Sequence, residues 1–205
     1  MDVSEPHSIF TRVSVQILVR LDKTSKPLTG REIARLLQRS DQAVRLTLRG
    51  LVEHGLVNMQ DAGSALLYTL NHDHVAAPAV RLMATMRQEF ERRLREAITA
   101  WEVKPHHASL FGSTARGDGG VESDIDIFIV RPSTVDEDDF FWADQIDVLT
   151  RNVYRWTGNR ASIAEVSEGE VGRLRHEQPP VVAALRAESI PLSGPPASEL
   201  FRGGH

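Results

Sequence analysis

The stretch Ser109 to Val130, SLFGSTARGDGGVESDIDIFIV, constrains this chain most, because it sets two apolar runs around a run of small and polar residues. Ser109 to Phe111 predicts the end of a short strand, Gly112-Ser113 its turn, and Asp124 to Val130 a second, more buried strand. Successive side chains on a strand alternate, so Asp124 and Asp126 project from one face and Ile125 and Ile127 from the other. Two carboxylates held side by side repel unless a cation is shared between them, and hard oxygen donors at this spacing suit Mg²⁺. A pair of such ions would orient an attacking oxygen and neutralise a triphosphate for in-line displacement. Gly112 lets backbone amides approach a phosphate closely, and Ser113 offers a hydroxyl at the start of the following helical turn.

The residues N-terminal to this stretch read differently. Over residues 9–58 there are nine Lys or Arg against Asp22, Glu32, Asp41 and Glu53, net +5, whereas residues 101–205 carry ten basic and seventeen acidic residues, net -7. The overall charge of -4 hides two modules with different partners, a polyanion for the first and cations for the second. In the basic half, Val13, Ile17 and Leu21 predict a helix over 9–21, and Thr29 with Glu32 forms the S/T-x-x-E box that opens a second. Val44, Leu48, Leu51 and Val52 give a third helix, from Ser40 or Asp41 to Gly55. Leu56 to Gln60 and Ala65 to Asn71 flank a Gly-containing turn and predict a hairpin.

Three short helices followed by a hairpin, with LTGREIARLL, SDQAVRLTLRGLVEHGLV and AGSALLYTL over Leu28 to Asn71, resemble the winged-helix regulators of bacteria. The resemblance implies a third helix lying in the DNA major groove, with Gln42, Arg45 and Arg49 outward and Arg39 and Ser40 at its start. The same residues also fit a solvated helix face or a protein-docking module. Residues 76–103 follow as a connecting amphipathic helix, with Met83, Met86, Phe90, Leu94, Ile98 and Trp101 at intervals of three or four. It reads as a spacer packed on the second domain or another subunit, or as a further DNA or partner surface.

The pattern GS, ten residues, then D-x-D resembles the polymerase β superfamily of nucleotidyltransferases, and FGSTARGDGGVESDIDIFIV resembles its minimal bacterial and archaeal members. The resemblance spans residues 108–194. It implies that Gly112 and Ser113 hold a triphosphate, that Arg116 supports a phosphate, and that Asp124 and Asp126 bind Mg²⁺ or Mn²⁺. An ion pair of Arg116 with Asp118 or Glu122 is the alternative for that side chain. The superfamily uses a third carboxylate on a neighbouring strand. A helix carrying Trp142, Ile146, Leu149, Val153 and Trp156 ends at Gly158-Asn159, and Arg160 to Val166 predicts the next strand, whose one carboxylate is Glu165. Glu165 is therefore the expected third acid, for metal or proton, although Asp is commoner there.

The remaining candidates are blander. Asp136 to Asp139 predicts a solvated loop and helix start, and His72, His74, His106 and His107 predict loop or surface residues without a matched carboxylate. The expected architecture is an α/β (α+β) chain: winged helix-turn-helix over 1–75, connecting helix over 76–103, nucleotidyltransferase fold with a small mixed sheet over 104–194, and a disordered tail over 195–205. The chain has no cysteine, and no apolar run approaches the roughly 18 residues of a membrane helix, so a cytoplasmic protein without membrane contact is expected. The resemblances imply transfer of a nucleotidyl group, from ATP or another nucleoside triphosphate, to a hydroxyl on a small molecule or a protein such as a toxin. The alternatives are an operator-binding regulator that senses nucleotide or a partner without turnover and an antitoxin with a purely structural role, against which the clustered Ser113, Asp124 and Asp126 weigh; a homodimer is allowed.

Overall fold

The computed structural model describes residues 10–117, 120 and 123–202. The chain folds as two compact units, residues 1–88 and 89–205, with the boundary inside one helix. Among the described residues, no helix is long and apolar enough to cross a membrane.

In the first unit, α1 (Arg12–Asp22), β1 (Leu28–Thr29), α2 (Gly30–Leu37) and α3 (Asp41–Glu53) precede the hairpin of β2 (Val57–Asp61) and β3 (Leu66–Leu70). Each helix is opened by a hydroxyl: Thr11 accepts from Ser14 N, Thr29 and Glu32 form a reciprocal capping box, and Ser40 accepts from Ala43 N. The Thr11 cap explains why α1 begins at Arg12 and not at the expected residue 9. The sheet order is β1-β3-β2, all antiparallel. β1, two residues long and paired with β3 through Leu28 and Tyr68, has no periodicity of its own to announce it. Ile17, Leu18, Ile33, Val44, Leu48, Leu51 and Leu56 form the core, joined by Val80 from the first half of α4 (Ala77–Thr99).

The second unit takes the other half of α4 and adds β4 (His107–Leu110), α5 (Gly112–Arg116), β5 (Ile125–Arg131), α6 (Phe140–Thr157), β6 (Ala161–Ser167), α7 (Glu168–Glu177), α8 (Pro180–Glu188), β7 (Ile190–Ser193) and α9 (Ala197–Leu200). The mixed sheet runs β6-β5-β4-β7, with β5 and β6 parallel and the other pairs antiparallel. Both faces of β5 are covered. Ile125, Ile127 and Ile129 pack with Leu94, Ile98, Trp101, Trp142, Leu149 and Val153, while Phe128 and Val130 pack with Val171, Val182, Leu185 and Phe201. Double coverage is why this strand reads as a nearly continuous apolar run.

The structure departs from two expectations, the disordered tail and the surface position of His107. Residues 195–202 are folded, since α9 places Leu200 and Phe201 in the core against Phe128, with the two phenylalanine rings 6.0 Å apart. Gly203 to His205 lie outside the described residues. His107 is fully buried on β4, its Nδ1 bonded to Pro195 O (2.7 Å) and its Nε2 to Ser109 Oγ (3.0 Å). Its burial pushes its pKa below the ordinary histidine value, only partly opposed by the bond to Pro195. The histidine thus fastens the tail that a Pro- and Gly-rich composition made look loose. Its neighbour His106 is exposed as expected, with Nδ1 3.6 Å from Glu168 Oε1.

Candidate active site

The elements meet where β4 hands over to α5. Phe111 N donates to Asp126 O at 3.0 Å, which draws the end of β4 and the start of α5 onto the first turn of β5. Gly112 follows at φ +67, and a Cβ there would lie 2.2 Å from Asp126 Oδ2. No other residue fits that combination of left-handed backbone and absent side chain without displacing the carboxylate. Ser113, partly exposed, stands beside it at the head of α5.

Asp124 is exposed just before β5, and Asp126 is partly exposed within it. The Asp126 carboxyl is pushed above its ordinary pKa by desolvation first and by the charge of Asp124 second, with Arg116 pulling the other way. All three groups therefore share one field. Two hard oxygen donors close enough for the charge of Asp124 to act on Asp126 would suit a divalent cation, which would take its remaining ligands from phosphate or water. Among the described residues, no group of three or more His, Asp or Glu could hold a metal ion.

Arg116 is tied to this corner by Glu188 of α8, Nη1 to Oε2 at 2.9 Å, with Arg116 exposed and Glu188 partly exposed. The alternative partners Asp118 and Glu122 lie outside the described residues.

Glu165 is not brought to the site. β5 and β6 pair in parallel with Asp126 opposite Ser162 and Ile129 opposite Glu165, and paired residues point to the same side of a sheet. Asp126 shares its face with Phe128, whereas Glu165 shares the opposite face with Ile129 and lies roughly 10 Å further along the strands, at about 3.3 Å per residue. There Glu165 Oε1 accepts from Arg131 Nε (2.8 Å) and Trp142 Nε1 (2.9 Å), and Arg131 also donates to Val135 O. Arg131 is only 8% exposed, so Glu165 compensates a buried cation. The residue beside Asp126 is Ser162, exposed and uncharged at neutral pH.

In the first unit, Gln42, Arg45 and Arg49 are exposed on α3, as the spacing predicts. Arg39 Nε donates to Gln16 Oε1 at 3.2 Å, and Ser40 is committed to capping α3. Arg31, Gln42, Arg45, Leu66 and Tyr68 line an open cleft of about 690 Å³ between the helices and the hairpin.

Asn159, Arg160 and Glu188 support the site without having stood out in the sequence. Asn159 follows the left-handed Gly158, a position that marks a helix end and gives no sign of its bonds to the loop before Asp124.

Residues 90–176 match the family model described as Nucleotidyltransferase domain, a span that includes Gly112, Ser113, Asp124 and Asp126. No curated protein matches the chain. Among solved structures, a toxin–antitoxin with AMP-PNP aligns at 18% identity and TM-score 0.36, covering 54% of this chain and 79% of that one. A mutant of the toxin–antitoxin MntA-HpeT aligns at 16% identity and TM-score 0.37 over 54% and 79%. A nucleotidyltransferase structure from Sulfolobus solfataricus aligns at 18% identity and TM-score 0.29 over 52% and 85%.

Proposed function

We propose that the second unit binds a nucleoside triphosphate with Mg²⁺ or Mn²⁺ and transfers its nucleotidyl group to a hydroxyl. The observation that carries this reading is the seating of Gly112 against the Asp126 carboxylate, with Asp124 and Arg116 acting on the same group. The match of residues 90–176 to a nucleotidyltransferase domain supports it. In this reading Asp124 and Asp126 hold the cation, whose charge offsets that of the phosphates and of the departing pyrophosphate. Gly112 gives the phosphates access to backbone amides, and Ser113 donates its hydroxyl to them. Arg116, held by Glu188, adds positive charge at the same corner. The reaction forms a bond from the acceptor oxygen to the α-phosphorus and breaks the bond to pyrophosphate, the acceptor's proton passing to solvent or to a base of the acceptor.

The first unit, read as a winged helix, presents Gln42, Arg45 and Arg49 to DNA, and Arg31 and the hairpin flank them. Coupling this unit to a nucleotide site makes the chain an operator-binding regulator whose acceptor is a small molecule or a protein partner such as a toxin. One observation favours a second reading, in which the chain senses nucleotide without turnover. Ser162, not a carboxylate, lies beside Asp126, so the described residues supply no third acid to take the acceptor's proton.

Calorimetric titration with ATP tests what both readings share. Binding should require Mg²⁺ or Mn²⁺, and Asp124→Asn with Asp126→Asn should abolish the metal dependence. Equal binding by the double variant would refute the site.

A further inference from the structure

Asp124 lies outside β5, yet the residues on both sides of it are fastened to consecutive residues at the end of α6. On one side, Asn159 Nδ2 donates to Ser123 O at 2.8 Å and to Gly120 O at 3.4 Å. On the other, Ile125 N donates to Arg160 O at 2.8 Å. Gly120 and Ser123 are also bonded to each other, with Ser123 N donating to Gly120 O (3.1 Å) and Gly120 N to Ser123 Oγ (2.9 Å). Asn159 is in turn held from behind, since its own N–H donates to Thr157 Oγ1 at 3.0 Å.

We infer that Asn159 is a positioning residue, whose carboxamide clamps Gly120 and Ser123 and so holds Asp124 beside Asp126. The inference rests on the reading of that pair as cation ligands. The chemistry explains the residue type. A carboxamide offers two N–H donors and can serve two carbonyls at once, while a carboxylate of the same shape only accepts and would face two carbonyl oxygens with a negative charge. Without the clamp Gly120 and Ser123 lose their tie to the residues after α6, and the backbone at Asp124 keeps the tie from the Ile125 side. The carboxylate then samples positions away from Asp126, and binding a cation between the two carries the added cost of ordering it. Asn159 touches neither the nucleotide nor the cation in this account. It acts through Asp124.

The test uses the full chain, with Mn²⁺ followed by electron paramagnetic resonance in the absence of nucleotide. Asn159→Ala and the shape-matched Asn159→Asp should each weaken Mn²⁺ by about tenfold or more, the usual cost of losing a residue that orients a metal ligand. In an Asp124→Asn background, Asn159→Ala should cost nothing further, because the ligand it orients is gone. Equal weakening in both backgrounds, or none in either, overturns the inference. Hydrogen exchange without metal provides an independent decision. Exchange at Gly120 and Ser123 should accelerate in both Asn159 variants while Ile125, β4 and α6 stay protected. Unchanged exchange there overturns the clamp. A wild type that binds no Mn²⁺ refutes the cation reading instead, and the exchange result then stands alone in deciding whether Asn159 holds Gly120 and Ser123.

Discussion

Replacing Gly112 by alanine probes the closest contact in the candidate site. At φ +67 the new residue adopts a left-handed conformation, costing about 1–2 kcal/mol for a side chain with a Cβ. Its methyl would also stand 2.2 Å from Asp126 Oδ2, a distance that cannot persist. The carboxylate is the movable party, and turning it off its rotamer costs a further ~0.5–1.5 kcal/mol. The total is about 1.5–3.5 kcal/mol, on the order of 10 °C of Tm for a unit of this size. The two contributions separate in a double-mutant cycle. With Asp126→Ala already present, Gly112→Ala should cost only the backbone strain, leaving a coupling of about 0.5–1.5 kcal/mol. Urea unfolding followed by tryptophan fluorescence reads the second unit alone, because Trp101, Trp142 and Trp156 all belong to it. Gly112→Ala should also reduce Mn²⁺-dependent ATP binding, since the displaced carboxylate is the proposed ligand. An equal cost in both backgrounds would refute the contact. Unchanged ATP binding would refute its role.

Three further outcomes follow from particular contacts. Glu165→Gln should leave ATP binding unchanged but lower stability by about 1–3 kcal/mol, because Arg131 loses its counter-charge; loss of ATP binding with stability intact would return Glu165 to the site. His107 has a pKa below that of an unfolded histidine, so the unfolded chain gains the proton first and stability should fall as pH drops below the ordinary value near 6.5. His107→Gln should flatten that dependence in urea midpoints measured from pH 7.5 to 5, and an unaltered slope would exclude this histidine. Arg45→Ala with Arg49→Ala should weaken binding to the chain's own promoter and reduce the slope of log affinity against log salt by about 0.9 per lost phosphate contact, and an unchanged slope would exclude both from the interface.

The features legible in the sequence are those set by local rules. The Thr29–Glu32 box, the Ser40 cap, the Gly158 helix end and the buried strand that carries Asp126 each depend on residues within a few positions of one another, whereas Asp124, expected on that strand, lies just before it. The place of Glu165 is not legible because it depends on the register between β5 and β6, where a three-residue offset from Ser162 both lengthens the distance and reverses the face. The tail is not legible for a similar reason. Its composition suggested a solvated end, yet Phe201 and the bond from His107 to Pro195 are long-range contacts invisible to local pattern. Asn159 was unreadable because its partners, Gly120 and Ser123, lie across α6 in sequence.

The central claim, that this site transfers nucleotides, is tested most directly by incubating the full chain with ATP labelled on the α-phosphate, Mg²⁺ and a candidate acceptor protein. Acid-stable label on the acceptor and release of unlabelled pyrophosphate are expected, both lost in Asp124→Asn with Asp126→Asn and both retained in Glu165→Gln. Tight, metal-dependent ATP binding with no label on any acceptor would contradict the claim and establish the sensing regulator in its place.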